Sequence, residues 1–232
     1  RGRWKEDVRA IAEALRPEVI VCDTFPGGIR GEWEEGLPAR GVYMARRLNA
    51  EGVRVMVAGG RWRAGMERIV AVEELGEDHE AELEESGVEV KQLSGPVRLR
   101  PGAVATAVPR ELEALLEGGR ATLVVHGGPV EEVARLVEMV KEEGPVAAVT
   151  PWGGMAGGVR SFEYYPAGNV LERVAKVVSG AGYNIMSDMK NWPDRHVAIP
   201  FTRRWDDQAG RLARWRPGGG DGAREAAEAI QE

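Results

Sequence analysis

Two short glycine-rich segments each follow a run of apolar residues that is typical of a buried strand. The first is His126-Gly127-Gly128, and the second is Gly180-Ala181-Gly182-Tyr183-Asn184. Glycine lets a ligand approach the backbone closely, and the helix that follows offers free N–H groups and a partial positive charge. Together these features predict a binding site for a diphosphate. Tight turns also need glycine, so either segment alone is weak evidence for a site.

An acidic residue follows the second glycine segment at helical spacing. Asp188 lies four residues beyond Asn184, about one helical turn into the predicted helix. A carboxylate there is suited to accept hydrogen bonds from both hydroxyls of a ribose, as acidic residues do in dinucleotide sites. The alternative is that Asp188 only interacts with the helix dipole.

A third candidate segment follows the predicted strand that ends at Ile199. Arg203 and Arg204 are suited to neutralise phosphates, while Asp207 and Gln208 are suited to hydrogen-bond sugar hydroxyls. A solvated loop before a helix, with a neighbouring aspartate as its N-cap, would have the same composition.

Two residues at strand ends are candidates for a general base. Group transfer to a hydroxyl needs a carboxylate or an imidazole within hydrogen-bond reach of that hydroxyl. Asp23 ends the first apolar run and His126 ends a later one, and we expect both to face an interdomain cleft. A histidine at a strand end is more often structural, so the base stays open between these two.

The bulk composition excludes several classes of protein. The 31 basic and 37 acidic residues give a net charge of −6, which argues against a nucleic-acid-binding protein. The single cysteine, Cys22, permits neither an intrachain disulfide nor a thiolate metal cluster. No apolar run approaches the length of a membrane span, and the N-terminus does not look like a secretory signal. A cytoplasmic location is the resulting expectation.

The elements that would hold these residues alternate between helix and strand. This order predicts an α/β fold of doubly wound, mostly parallel sheets. A glycine- and proline-rich stretch near Arg100-Pro101-Gly102 predicts a domain boundary. We therefore expect one domain over residues 1–104, a second over 105–216, and a flexible tail with a terminal helix over 217–232.

The order of motifs in the second half resembles the C-terminal domain of the GT-B glycosyltransferases, in particular relatives of the peptidoglycan N-acetylglucosaminyltransferase. The resemblance covers about residues 120–215 and implies two Rossmann-like domains and a nucleotide-sugar donor, commonly a UDP-sugar. It implies that residues 180–184 face the diphosphate and that Asp188 holds the ribose. It also implies that Asp207 and Gln208 contact the donor sugar.

Three departures from that family pattern stand out. The family usually has glutamate where this chain has Asp188, and residues 190–195 are more polar than the family's connection. The N-terminal part matches only loosely, through residues 17–28. The glycine-rich loop that opens a GT-B N-terminal domain has no counterpart, so the N-terminal domain is expected to be incomplete.

The leading hypothesis is a metal-independent glycosyltransferase with no required cofactor. A nucleotide-sugar 2-epimerase or hydrolase of the same fold, and a non-catalytic nucleotide-sugar-binding protein, are the alternatives. The acceptor is unknown; a lipid-linked acceptor, with peripheral contact to the inner face of the membrane, stays open.

Overall fold

The computed structural model describes residues 3–98, 106–220 and 222–231. Within these residues the α-helices are α1 (Arg3–Leu15), α2 (Ala50–Met56), α3 (Glu77–Ser86), α4 (Arg110–Leu116), α5 (Val130–Glu138), α6 (Tyr183–Asp188), α7 (Gln208–Arg214) and α8 (Gly222–Gln231). The strands are β1 (Val19–Asp23), β2 (Arg40–Ala45), β3 (Met66–Ala71), β4 (Glu89–Gln92), β5 (Thr122–Val125), β6 (Val146–Val149), β7 (Gly154–Ala156), β8 (Val159–Phe162), β9 (Lys176–Gly180) and β10 (His196–Ile199).

The chain divides into two compact units, and the chain path differs from the expected one. The first unit contains the residues up to Val97 together with Thr202–Arg214 and the residues from Gly219 onward. The second contains the residues from Arg98 to Phe201 together with Trp215–Gly218. The expected boundary between residues 104 and 105, like the linker residues 100–102, lies outside the described residues. The segment 202–214, expected in the second domain, packs in the first.

The first unit is built on a four-stranded parallel sheet in the order β1-β2-β3-β4. Consecutive parallel strands need crossover connections, and α2 and α3 supply two of them. Asp23 at the end of β1 lies opposite Met44 in β2. The polar residues that follow these two strands therefore meet at one edge of the sheet.

The first unit buries its apolar residues between this sheet and the helices. Tyr43, Ile69 and Leu83 are fully or almost fully buried, and Trp62 packs beside them. Burying one large apolar side chain stabilises a fold by about 1.5–3 kcal/mol. This cluster is thus large enough to hold the unit's strand ends in fixed positions.

The chain's last helix also packs on the first unit rather than forming a separate tail. Arg40 and Arg68 donate hydrogen bonds to the carbonyl oxygens of Ile230 and Ala229 in α8, at 2.8 and 3.2 Å. Ser94 N–H donates to Glu225 Oε2 at 2.8 Å. The expected glycine-rich break is present, but the helix after it is anchored by these bonds.

The second unit is built on a six-stranded sheet in the order β10-β9-β5-β6-β8-β7. All neighbouring pairs are parallel except the β7–β8 hairpin. The carboxyl ends of β10, β9, β5, β6 and β8 therefore lie along one edge. Ligands of open α/β sheets bind beyond this edge.

Helices cover both faces of the second sheet. Successive residues of β5 point to opposite faces, so Leu123 packs with Leu112 of α4 while Val124 packs with Val133 of α5. All four side chains are completely buried. This arrangement agrees with the expected doubly wound architecture and fixes the loops at the carboxyl edge from both sides.

Candidate functional site

The two glycine-rich segments lie side by side in the second unit. They follow β5 and β9, which are neighbouring parallel strands with Val125 opposite Ser179. A Cβ atom placed on Gly180 would lie only 2.7 Å from Cε1 of His126, so a side chain at this position would displace the imidazole. The structure thus brings together two segments that the sequence suggested separately.

Gly127 and Gly182 have open space where a side chain would be. No described atom lies within 4 Å of a Cβ atom added at either position. Gly182 has φ −72° and ψ 149°, a conformation that any residue adopts. Neither strain nor crowding within the protein explains glycine at these two positions. Its effect is to leave backbone N–H groups accessible to a ligand.

A histidine–serine pair fixes the peptide at the start of the second glycine segment. Ser179 is fully buried, and its hydroxyl donates to the Gly180 carbonyl oxygen at 2.9 Å. Because that bond uses the only hydroxyl proton, Nε2 of His196, 2.8 Å away, must be protonated and donate to Ser179. Burial lowers the pKa of His196 to about 4, so the ring is neutral at physiological pH.

His126 is buried and held by a carboxylate. Its Nε2 lies 2.7 Å from Oε2 of Glu132 in α5, and its ring stacks obliquely on Phe201 with the centroids 5.0 Å apart. The guanidinium of Arg135 lies 5.8 Å from the centroid of that phenyl ring. A carboxylate on one ring nitrogen fixes the tautomer and leaves the other nitrogen, Nδ1, on the side of Gly180. Such a pair is suited to proton transfer, and it also stabilises the loop.

The helix after the second glycine segment is short. α6 has six residues, and no side chain caps its N-terminus at Gly182. Tyr183 is buried whereas Asn184 is exposed. The helix therefore offers backbone donors, but little of the macrodipole that a longer helix would have.

Asp188, the expected ribose-binding residue, lies at the far end of α6. Burial raises the pKa of its carboxyl to about 6, and the charge of Arg98 offsets part of that increase. Its Oδ2 would lie 3.5 Å from a Cβ atom placed on Gly168, in the short 3₁₀ turn after β8. Asp188 lies six positions after Gly182, which corresponds to about 9 Å along the helix axis.

The remaining expected ligand contacts, Arg203, Asp207 and Gln208, belong to the first unit. Asp207 Oδ1 accepts from the Gly210 N–H and Oδ2 accepts from Arg47 Nε, both at 2.8 Å. Burial alone would raise the pKa of Asp207, but these bonds and the nearby arginine charges lower it below its usual range. Gln208 is buried as well. Within the first unit, Asp207 directly precedes α7 and forms an ion pair with Arg47.

That ion pair is part of a buried charge network that the sequence did not indicate. The Arg211 guanidinium donates to both oxygens of Glu73 at 2.6 and 2.8 Å and to Asp206 at 2.6 Å. Only 3% of its side chain is exposed. Arg47 also donates to the Leu75 carbonyl oxygen at 2.8 Å. These contacts attach the 202–214 segment to the first unit.

Asp23 is bound by an arginine at the carboxyl edge of the first sheet. Arg46 donates from Nε and Nη2 to the two carboxylate oxygens, both at 2.7 Å. The next residue, Thr24, has φ +70°, and its carbonyl oxygen accepts a 3.1 Å bond from the buried Tyr43 hydroxyl. A non-glycine residue in this region is strained, and such strain is common at functional sites.

Comparison with known proteins places this geometry in a fold class. No protein-family model matches the chain, and no curated protein resembles it in sequence. Among solved structures, the spinosyn forosaminyltransferase SpnP is similar with a TM-score of 0.54 at 14% identity. MnaA from S. aureus, in a complex with UDP, is similar with a TM-score of 0.54 at 10% identity. Each likeness covers 98% of this chain and 71% of the other chain.

The chain has a GT-B-type fold. Its two parallel-sheet units correspond to the Rossmann-like domains expected from the sequence. Neither likeness points to the peptidoglycan N-acetylglucosaminyltransferase in particular among GT-B proteins. At these identities the likeness establishes the fold, while donor, acceptor and site residues rest on the geometry above.

No group of three or more histidine, cysteine, aspartate or glutamate side chains in the described part of the chain is arranged to hold a metal ion. None of the helices within the described ranges is long and apolar enough to cross a membrane.

A separate groove lies elsewhere in the second unit. It has a volume of about 470 Å³, and its walls include Met155, Arg160 and Phe162 of the β7–β8 hairpin and Glu111 of α4. Neither glycine-rich segment contributes to its lining.

Proposed function

We propose that the chain is a glycosyltransferase that uses a nucleotide-sugar donor, with UDP as the nucleotide. The observation that carries the proposal is the pair of adjacent glycine-rich segments, open above Gly127 and Gly182, at the carboxyl edge of the second sheet. Ligands of such sheets bind at this edge. A similar structure in a complex with UDP favours UDP as the first nucleotide to test.

The donor diphosphate lies, in this proposal, across residues 127–128 and 180–182. The N–H groups of Gly127, Gly128 and Gly182 stabilise the charge that develops on the leaving diphosphate, without a metal ion, whereas the N–H of Ala181 already donates to the Ile199 carbonyl oxygen at 3.1 Å. The bonds from Ser179 and His196 keep the Gly180 peptide in place before the donor binds, so little reorganisation accompanies the reaction.

His126 is the better-supported of the two candidate bases. Glu132 orients its ring and leaves Nδ1 on the side of Gly180, as a general base requires. The carboxylate of Asp23, in contrast, is held on both oxygens by Arg46. Asp188 remains the proposed ribose ligand, although aspartate is shorter than the glutamate usual in the family.

The positions of the histidines support an epimerase or hydrolase less well than a transferase. Such reactions need several acidic and imidazole groups that converge on one ligand. His79 is completely buried in the first unit, and burial, with the charge of Arg47, lowers its pKa to about 4. His196 is bonded to Ser179. His126 is thus the one of the three histidines that combines a position beside the glycine segments with a carboxylate partner.

Calorimetric titration with UDP tests the donor site through two glycine variants, one at the proposed site and one distant from it in the sequence. Gly182→Val places methyl groups in the open space where the diphosphate is proposed, and we expect UDP affinity to fall by at least about tenfold, or 1.4 kcal/mol. The control is Gly76→Ala, at the N-cap of α3 with the similar angles φ −88° and ψ 154°. This control should bind UDP like the unmodified chain. Equal affinity in all three proteins would refute the proposed site.

Product analysis separates the catalytic hypotheses from simple binding. The chain is incubated with UDP-N-acetylglucosamine and a panel of sugar and lipid-linked acceptors. A glycosylated product together with UDP supports the transferase. A C2-epimerised sugar or free sugar in the absence of acceptor supports the alternative enzymes, and tight UDP binding without any turnover supports a binding protein.

A further inference from the structure

Trp152 is a tryptophan that the structure holds in place while leaving it open to solvent. It follows β6, and 53% of its surface is exposed. Its indole N–H donates to the Gly128 carbonyl oxygen at 3.2 Å, which fixes the ring beside the first glycine segment. The sequence alone offered no reason to single it out among seven tryptophans.

The backbone of Trp152 is anchored independently of its side chain. Its N–H donates to Thr150 Oγ1 at 2.9 Å, and its carbonyl oxygen accepts from the hydroxyls of Thr150 and Ser161 at 2.9 and 2.5 Å. Both hydroxyl-bearing residues are buried. Two buried polar side chains therefore position a loop whose main feature is an exposed aromatic ring.

An exposed, immobilised indole is suited to ring stacking. Apolar surface left in water is unfavourable, so a fixed indole with an open face gains free energy when a flat ring covers it. Because the N–H already bonds to Gly128, the ring has little rotational freedom left to lose on binding. This is the arrangement expected of a stacking platform.

The position of Trp152 relates it to the proposed donor site. β9, β5 and β6 are consecutive in the sheet. Neighbouring strands lie about 4.8 Å apart, so the end of β6 is about 10 Å from the end of β9. A nucleoside diphosphate whose phosphates lie on residues 180–182 extends far enough to reach the indole.

The position of Asp188 indicates which end of the donor lies over Trp152. Asp188 lies next to Gly168, in the turn that follows β8, and β8 is the other neighbour of β6. This contact with the connection that leaves β8 favours a position of the ribose on the β6–β8 side of the glycine segments. The base attached to that ribose lies on the same side, and the donor sugar extends from the opposite end of the diphosphate.

We propose that Trp152 is a specificity-determining residue whose indole stacks on the nucleobase of the donor. This proposal rests on the nucleotide-sugar function proposed above. In this proposal the exposed face of the Trp152 indole contacts the pyrimidine ring, while its N–H keeps its bond to the Gly128 carbonyl oxygen. The stacking adds affinity for nucleoside diphosphates over inorganic pyrophosphate.

Calorimetry on three variants tests the assignment, with UDP, UDP-N-acetylglucosamine and inorganic pyrophosphate as ligands. In Trp152→Ala we expect UDP affinity to fall roughly 5- to 150-fold, the range measured for loss of one base–aromatic stack. Pyrophosphate affinity should not change. Trp152→Phe keeps a stacking ring and should retain most of the UDP affinity. Met155→Ala, which removes another exposed apolar side chain close in sequence, is the control and should bind like the unmodified chain.

The backbone anchors of Trp152 do not involve the indole, so Trp152→Ala should fold, and its melting temperature checks this. Unchanged UDP affinity in Trp152→Ala overturns the stacking assignment alone. Equal losses for UDP and pyrophosphate also overturn it, because the indole would then only support the Gly128 loop. A loss confined to UDP-N-acetylglucosamine assigns the ring to the sugar instead. Failure of the unmodified chain to bind UDP overturns the proposed function, and this inference with it.

Discussion

Arg211→Ala is the substitution that most directly tests how the 202–214 segment is attached to the first unit. The guanidinium is 97% removed from solvent and donates to both Glu73 oxygens and to Asp206. Alanine leaves the Glu73 carboxylate, itself only 13% exposed, without its main counter-charge. Removing one partner of a buried ion pair costs about 3–5 kcal/mol, chiefly because the other charge is left buried and unpaired.

This loss corresponds to a fall in melting temperature of roughly 6–20 °C for a chain of this size. Circular dichroism during thermal unfolding measures it, and urea unfolding checks the free energy. The two units can unfold in separate thermal transitions. The melting temperatures of the variant and the unmodified chain are therefore compared for the transition that the substitution shifts.

Arg214→Ala is the matched control for Arg211→Ala. Arg214 lies on the same helix and pairs with Glu74 at 3.0 Å, but 41% and 60% of the two side chains are exposed. Exposed pairs of this kind contribute about 0–1 kcal/mol. Equal shifts for Arg211→Ala and Arg214→Ala would refute the argument that burial, and not mere pairing, makes this network important.

Two further predictions concern the second unit. Burial raises the pKa of Asp188 from its ordinary value of 3.8 to about 6 in the folded state, so ionisation destabilises the fold and stability should fall as pH rises through this window. Asp188→Asn should therefore gain stability relative to the unmodified chain between pH 4 and pH 7, by at most about 3 kcal/mol, and a constant difference would contradict the shift. His126→Asn should lower glycosyl transfer by about 10²–10⁴-fold while UDP binding is retained, and full turnover in this variant would exclude His126 as the base.

The elements of the second unit could be predicted because their sequence pattern is local. The apolar runs that became β5, β6 and β9 are followed by glycine or polar turns, and α5 carries apolar residues at helical spacing. Parallel strands buried on both faces give this continuous apolar pattern. The adjacency of the two glycine segments then follows from strand order, which periodicity does not encode.

The assignment of residues 202–214 shows what local patterns cannot supply. The sequence Thr202-Arg203-Arg204-Trp205-Asp206-Asp207-Gln208 is compatible with either unit, since it contains charges and one aromatic residue. Its position is set by pairs distant in sequence, such as Arg47 with Asp207 and Glu73 with Arg211. Asn49 adds bonds from its side-chain amide to the carbonyl oxygens of Arg203 and Arg204, both at 3.1 Å.

The two candidate bases differ in what their neighbours leave available for proton transfer. The guanidinium of Arg46 donates to both carboxylate oxygens of Asp23. These two charge-assisted bonds occupy the oxygens that would have to accept a proton. Glu132, in contrast, contacts only one ring nitrogen of His126, and the other nitrogen, Nδ1, lies on the side of Gly180. A base needs a lone pair directed away from the group that orients it, and of the two arrangements the second provides one.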